Sequence, residues 1–174
     1  MRYRVLALFL LTCLALPFAG QTDQWQRYKN DGGNFSALMP GQPTENVNGE
    51  GDKASHTIQL ISGTIGYTVV YVSNSAEQPV NEETFKIYRD AFLKGLPQCN
   101  LVKEDSTSHP LQGYIGRWYR MSCDIGSVKM SFIGNLYWGK HYAYAVLAMF
   151  SGASQDPPEA EKFYNSFSVL GSSK

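Results

Sequence analysis

Two apolar, aromatic runs separated by a Gly-X pair dominate the C-terminal half of the chain: Ser127 to Trp138, then Gly139-Lys140, then His141 to Phe150. Runs of this kind joined by Gly-X predict a β-hairpin with a two-residue type II′ turn. In that register Trp138 faces His141, Leu136 faces Ala143, Phe132 faces Leu147 and Met130 faces Met149, an almost wholly apolar face. The opposite face sets Ile133 against Val146, Asn135 against Tyr144, Tyr137 against Tyr142 and Lys129 against Phe150, and is amphipathic. A strand pair apolar on one side and aromatic on the other needs cover on both. That predicts the middle of a sheet with helices against it.

The N-terminus carries a second constraint. Met-Arg-Tyr-Arg is a positive segment, Val5 to Leu16 is apolar, and Pro17-Phe18-Ala19-Gly20 offers small residues for cleavage. This is the order of a secretory signal peptide over 1–20, too short to cross a hydrocarbon core of about 30 Å, so no membrane insertion is expected after cleavage. Residues 21–174 are then expected to form a single domain with room for a real core. The whole chain balances 15 basic against 15 acidic residues, and losing Arg2 and Arg4 leaves it weakly acidic. Without a basic cluster, nucleic acid and anionic membrane surfaces are set aside as partners. Cys13 goes with the signal segment, and Cys99 and Cys123 are expected to pair in an oxidising, secreted or periplasmic compartment. That bond would contribute about 3 kcal/mol on the loop-entropy account.

Along the mature chain, Trp25 and Tyr28 suggest a short turn pinning the N-terminus. Phe35 to Met39 reads as a strand stopped by Pro40-Gly41, residues 44–54 as a solvated loop, and His56–Ile61 with Tyr67–Val72 as a second hairpin. Val80 to Leu96 carries the best helix pattern, with Asn81 as cap and Phe85, Tyr88, Phe92 and Leu96 as buried stripe. Leu101 to Pro110 reads as a polar connection and Gly113 to Cys123 as a strand. Asp156-Pro157-Pro158 starts a last helix, with Asp156 at its cap and Ala160, Phe163 and Phe167 on its apolar side. Asn34-Phe35-Ser36 also fits the N-glycosylation triplet.

Phe35-Ser36-Ala37-Leu38-Met39-Pro40-Gly41-Gln42-Pro43 after a Gly-Gly pair, Tyr67 to Val72 before the helix, and the closing Phe163-Tyr164-Asn165-Ser166-Phe167 resemble small exported proteins of the PsbP-like (PsbP/DcrB) superfamily. The resemblance covers most of residues 25–170. It implies an α+β fold in which an antiparallel sheet of about six strands lies between helices as an α/β/α sandwich. Members include photosystem accessory subunits and envelope proteins, mostly non-enzymatic, and no residue here matches the photosystem role.

Catalytic motifs are absent from the sequence. His56, His109 and His141 stand far apart, and no phosphate loop, Gly-x-Ser-x-Gly or dinucleotide fingerprint occurs, so no cofactor and no metal is expected. What remains is an aromatic concentration: Tyr114, Trp118, Tyr137, Trp138, His141, Tyr142 and Tyr144, with Arg117 and Arg120 beside it. Exposed, it would stack on a sugar, a protein segment or a small apolar ligand; buried, it is core. The Tyr137–Tyr142 side is expected to stay the more exposed. The expectation is a monomeric, non-catalytic binding or accessory protein, and the alternative a small hydrolase with a site assembled around His141 or His109.

Overall fold

A computed structural model describes residues 24–51, 54–151 and 155–171; the expected signal segment lies outside them. In chain order the elements are β1 (Gln26–Asn30), β2 (Phe35–Met39), β3 (Thr44–Asn48), β4 (Ser55–Ser62), β5 (Ile65–Ser73), α1 (Glu82–Lys94), β6 (Cys99–Ser106), β7 (Ile115–Ile125), β8 (Val128–Trp138), β9 (Tyr142–Ser151), α2 (Pro158–Asn165) and β10 (Ser168–Val169). A seven-stranded sheet runs β3-β4-β5-β9-β8-β7-β6, and a three-stranded sheet runs β1-β2-β10. All pairings are antiparallel.

This corrects the expected six-stranded α/β/α sandwich. The described residues are mostly β, 52% strand against 15% helix, and their strands form two sheets. The strands missed are the polar ones. All five residues of β3 are exposed, β6 is exposed beyond Cys99, and β1 alternates only weakly. The edge strands β3 and β6 of the large sheet show water on both faces and carry charges that discourage further pairing, so they leave no apolar period to read. The turn expected at Trp25–Tyr28 and the connection at 101–110 are therefore largely strand, and of the loop at 44–54 the first five residues are.

Each face of the large sheet has its own core. On one face α1 lays Phe85, Tyr88 and Phe92, with Leu96 just past its end, over Tyr119, Met121, Phe132, Leu136, Ala145 and Leu147. On the other, β2 and α2 bring Phe35, Met39 and Phe163, with Phe167 just past the helix, onto Ile58, Tyr67, Val69, Ile133, Tyr137, Tyr144 and Val146. The connection from β5 to the far-edge strand β6 must pass β9, β8 and β7, and α1 covers strands that it crosses. The helix is capped as expected: Asn81 Oδ1 accepts from the Thr84 N–H, 3.0 Å, in a reciprocal capping box. α2 differs, for Pro157 holds its N-cap position and Asp156 instead pairs with Arg120 on β7.

The β8–β9 hairpin forms, in a different register. Trp138 pairs with Ala143, Tyr137 with Tyr144 and Phe132 with Met149, two residues from the expected partners. A slip of two keeps every side chain on its face, so the facial division survives. Its cause is Gly139, which does not adopt a left-handed turn conformation. A Cβ there would run into the Tyr114 ring, so this glycine is needed for packing. Within β8, Gly134 (φ 150°) is required by close approach, since a Cβ would strike the Val146 carbonyl. The second hairpin is as expected, closing Ser62 onto Ile65 around Gly63 with φ 58°.

Cys99 and Cys123 are directly opposed on β6 and β7 and form a disulfide, with Cα atoms 3.9 Å apart. The pair is compatible with an oxidising compartment. Among the described residues no helix is long and apolar enough to cross a membrane.

Candidate functional site: the Trp118 cleft

The aromatic surface expected from the sequence divides between both faces of the sheet. Tyr137 and Tyr144 are fully buried at 0% exposure, which overturns the expectation of an exposed Tyr137–Tyr142 side. Their hydroxyls donate to backbone carbonyls, Tyr137 to His109 and Tyr144 to Gly33, both at 2.8 Å. Burial pushes the Tyr137 hydroxyl up to about 12 and raises that of Tyr144 further still. Tyr114 and Tyr142 are half-buried and lie against Tyr144, with ring centroids 5.8 Å away in each case. Trp138 is on the opposite face, stacked on Tyr88 at 5.4 Å, with its indole N–H donating to Pro79 O.

The histidines are equally dispersed. His109 Nε2 donates to Phe167 O at 2.8 Å, and His141 sits at the surface 3.7 Å from Glu77. His56 is the one held closely to an acid: its Nδ1 is 2.8 Å from Glu45 Oε1 and its ring stacks on Tyr71. The same carboxylate accepts from Tyr71 Oη at 3.3 Å and from Asn30 Nδ2 at 3.5 Å. It thus ties edge strand β3 to β4, β5 and the small sheet. Among the described residues no group of three or more His, Cys, Asp or Glu side chains could hold a metal ion.

Trp118 is the sequence-predicted residue that lies in a cleft. An open hollow of about 240 Å³ is lined by Trp118, Tyr164, Lys103, Asp105, Ser106 and Ser108. Its floor is built by an irregularity in β6. Before Val102, Cys99 and Leu101 pair with Cys123 and Met121 on the α1 face; after it, Lys103 and Asp105 pair with Arg120 and Trp118 on the other face. One inserted residue therefore re-aims the rest of the strand. It leaves Glu104 on the α1 side, where it accepts from Tyr119 Oη at 2.9 Å and from Arg89 at 3.2 Å.

The walls are fixed by hydrogen bonds and ion pairs. Arg120 holds Asp156 ahead of α2, Ser108 Oγ donates to Asn165 on α2 at 3.0 Å, and His109 ties its loop to Phe167. Tyr164 is buried, and that burial raises its hydroxyl pKa. Lys103 Nζ lies 5.8 Å from the Trp118 ring centroid and 3.0 Å from Asp105, and hydrogen bonding from Lys103 holds the Asp105 carboxyl below its usual range. A half-buried indole thus stands in a concave site whose rim offers a carboxylate, an ammonium and two hydroxyls. The sequence signal for Lys103, Asp105, Ser106 and Ser108 was missing because their segment reads as loop. Tyr164 was visible only as part of the closing aromatic segment.

No family model matches the chain, and no curated protein is similar to it.

Proposed function

We propose that this is an exported, non-catalytic binding module and that the Trp118 cleft takes one sugar ring of a glycan. The observation that carries the reading is the half-buried indole of Trp118 in a concave site edged by Asp105, Ser106 and Ser108. A pyranose has an apolar C–H face and an equator of hydroxyls, which match an aromatic platform with polar groups around it. The Lys103 ammonium that lies over the indole is on a flexible, mostly exposed side chain and is displaced as the ring stacks. Export is supported by the signal-like residues 1–20 and by the disulfide.

The binding reading is preferred to the catalytic alternative because His109 is held by a backbone carbonyl and His141 lies at the open surface beside Glu77. The large tyrosine shifts are all upward, which keeps those hydroxyls protonated as hydrogen-bond donors. The test is calorimetric titration with chitotriose, maltotriose and cellotriose. At least one should bind saturably, and Trp118→Ala should remove the binding while Trp138→Phe retains it. Failure of all three sugars, or full binding by Trp118→Ala, would overturn the reading.

A further inference from the structure

One row of side chains runs inward from the Trp118 cleft across the large sheet. Asp105 on β6 pairs with Trp118 on β7, Trp118 with Asn135 on β8, and Asn135 with Val146 on β9. The row lies on the face covered by β2 and α2, since Asn135 stands between Ile133 and Tyr137 of that core and Trp118 packs against it. Exposure falls along it: Asp105 is at the open edge, Trp118 is half-buried, and Asn135 is wholly buried at 0%. Neighbouring strands stand about 4.8 Å apart, so Asp105 and Asn135 are about 10 Å apart with the indole between them.

Asn135 is costly where it stands. Among the described residues four buried side-chain nitrogen or oxygen atoms lack a hydrogen-bond partner, and two of them are its Nδ2 and Oδ1. Asn30, the other buried asparagine, uses both ends of its amide: Nδ2 donates to Tyr28 and Glu45, and Oδ1 accepts from the Gly33 N–H. For packing alone, leucine or valine would serve better between Ile133 and Tyr137, because a desolvated amide without partners destabilises the fold. The inner wall of the cleft is polar as well. Tyr164 lines it from α2, and the Trp118 indole N–H donates to the Tyr164 hydroxyl.

We propose that the cleft selects a sugar bearing an acetamido group and that Asn135 is the residue that reads it, an inference that rests on the Trp118 cleft taking a sugar ring. As the pyranose stacks, the indole turns from Tyr164 and opens the row to Asn135. Hydroxyls at one edge of the ring meet the Asp105 carboxylate, which the Ser106 N–H already orients at 2.8 Å. At the other edge the acetamido N–H donates to Asn135 Oδ1, and the adjoining ring oxygen accepts from Nδ2. The acetamido carbonyl points away from its N–H in a trans amide and takes the hydrogen of the Tyr164 hydroxyl, while the methyl enters surroundings that are otherwise apolar. A hydroxyl in the same place satisfies Oδ1 but brings neither the methyl nor an acceptor for Tyr164. A charged substituent is disfavoured, because the row beyond Trp118 continues only through Asn135 and Val146 and offers it no counter-charge.

The test compares chitotriose with cellotriose, β-1,4 chains that differ in the acetamido group, by calorimetric titration of the folded, disulfide-bonded protein. Chitotriose should bind about tenfold more tightly, the worth of one further hydrogen bond to a buried group. Asn135→Leu should bring chitotriose down to the affinity of cellotriose, and its melting temperature should not fall below that of the parent, since it removes two unpartnered polar atoms at similar volume. A readout on the unaltered protein does not depend on that variant folding: the Asn135 side-chain amide signals in a nitrogen-15 spectrum should shift as chitotriose saturates and stay in place with cellotriose. Equal affinity for the two sugars, a preference that persists in folded Asn135→Leu, or unmoved Asn135 amide signals would each overturn the proposal and leave the cleft as a sugar site. Failure of both these sugars and of maltotriose to bind would overturn the sugar site and this inference together.

Discussion

Tyr137 shows how one side chain can be read correctly for chemistry and wrongly for place. Its ring is stacked on Phe167 with centroids 5.7 Å apart, it is wholly buried, and its hydroxyl is satisfied by the His109 carbonyl. Tyr137→Ala should therefore cost about 3–5 kcal/mol in urea unfolding, as much as Phe132→Ala on the other face. The same residue makes a pH prediction. Its hydroxyl is raised from 10.0 to about 12 on folding, so the folded state binds the proton more tightly than the unfolded chain. The contribution is complete below pH 10 and is lost as pH rises from 10 to 12, about 2–3 kcal/mol in all. Tyr137→Phe should flatten the decline of stability across that window, as measured by denaturation at stepped alkaline pH. Glycines at single positions carry comparable weight, and Gly134→Ala should prevent β8 and β9 from closing.

Elements with an apolar period were legible, and those without one were not. The capped helix α1, the β4–β5 hairpin and the division of β8–β9 into two faces all follow from spacing in the sequence. The register of β8–β9 did not, because Gly139 looks like a turn glycine and is in fact required by the ring of Tyr114, which is distant in sequence. The cleft was legible only in Trp118. Lys103 and Asp105 reach it through an irregularity at Val102 in a strand whose exposed residues gave no pattern. β6 is also an edge, attached to the sheet by β7 alone and by the disulfide. Replacing Cys99 and Cys123 together by alanine should cost about 2–4 kcal/mol. The accompanying hydrogen-exchange pattern should be local: β6 amides lose protection first, while those of β8 and β9 exchange only with global unfolding.

At the scale of the molecule, the two cores share one sheet, and β8 and β9 contribute side chains to both. Phe132→Ala and Phe163→Ala, on opposite faces, should therefore lower one common transition, with near- and far-UV circular dichroism coincident; two separated transitions would contradict a shared sheet. Mass spectrometry of exported protein should find the mature N-terminus just after Ala19 or Gly20. The strand order has a further consequence for biosynthesis. β3, β4 and β5 form one meander and β6 to β9 another, and the two are joined only where β5 meets β9. At about 5–20 residues per second, the roughly 70 residues between Ser73 and Tyr142 take several seconds to emerge. Throughout that interval β5 presents Tyr67, Val69 and Tyr71 beside an open strand edge, the kind of surface that pairs with other chains. Until β9 arrives to pair with β5, a nascent chain of this topology carries that open edge.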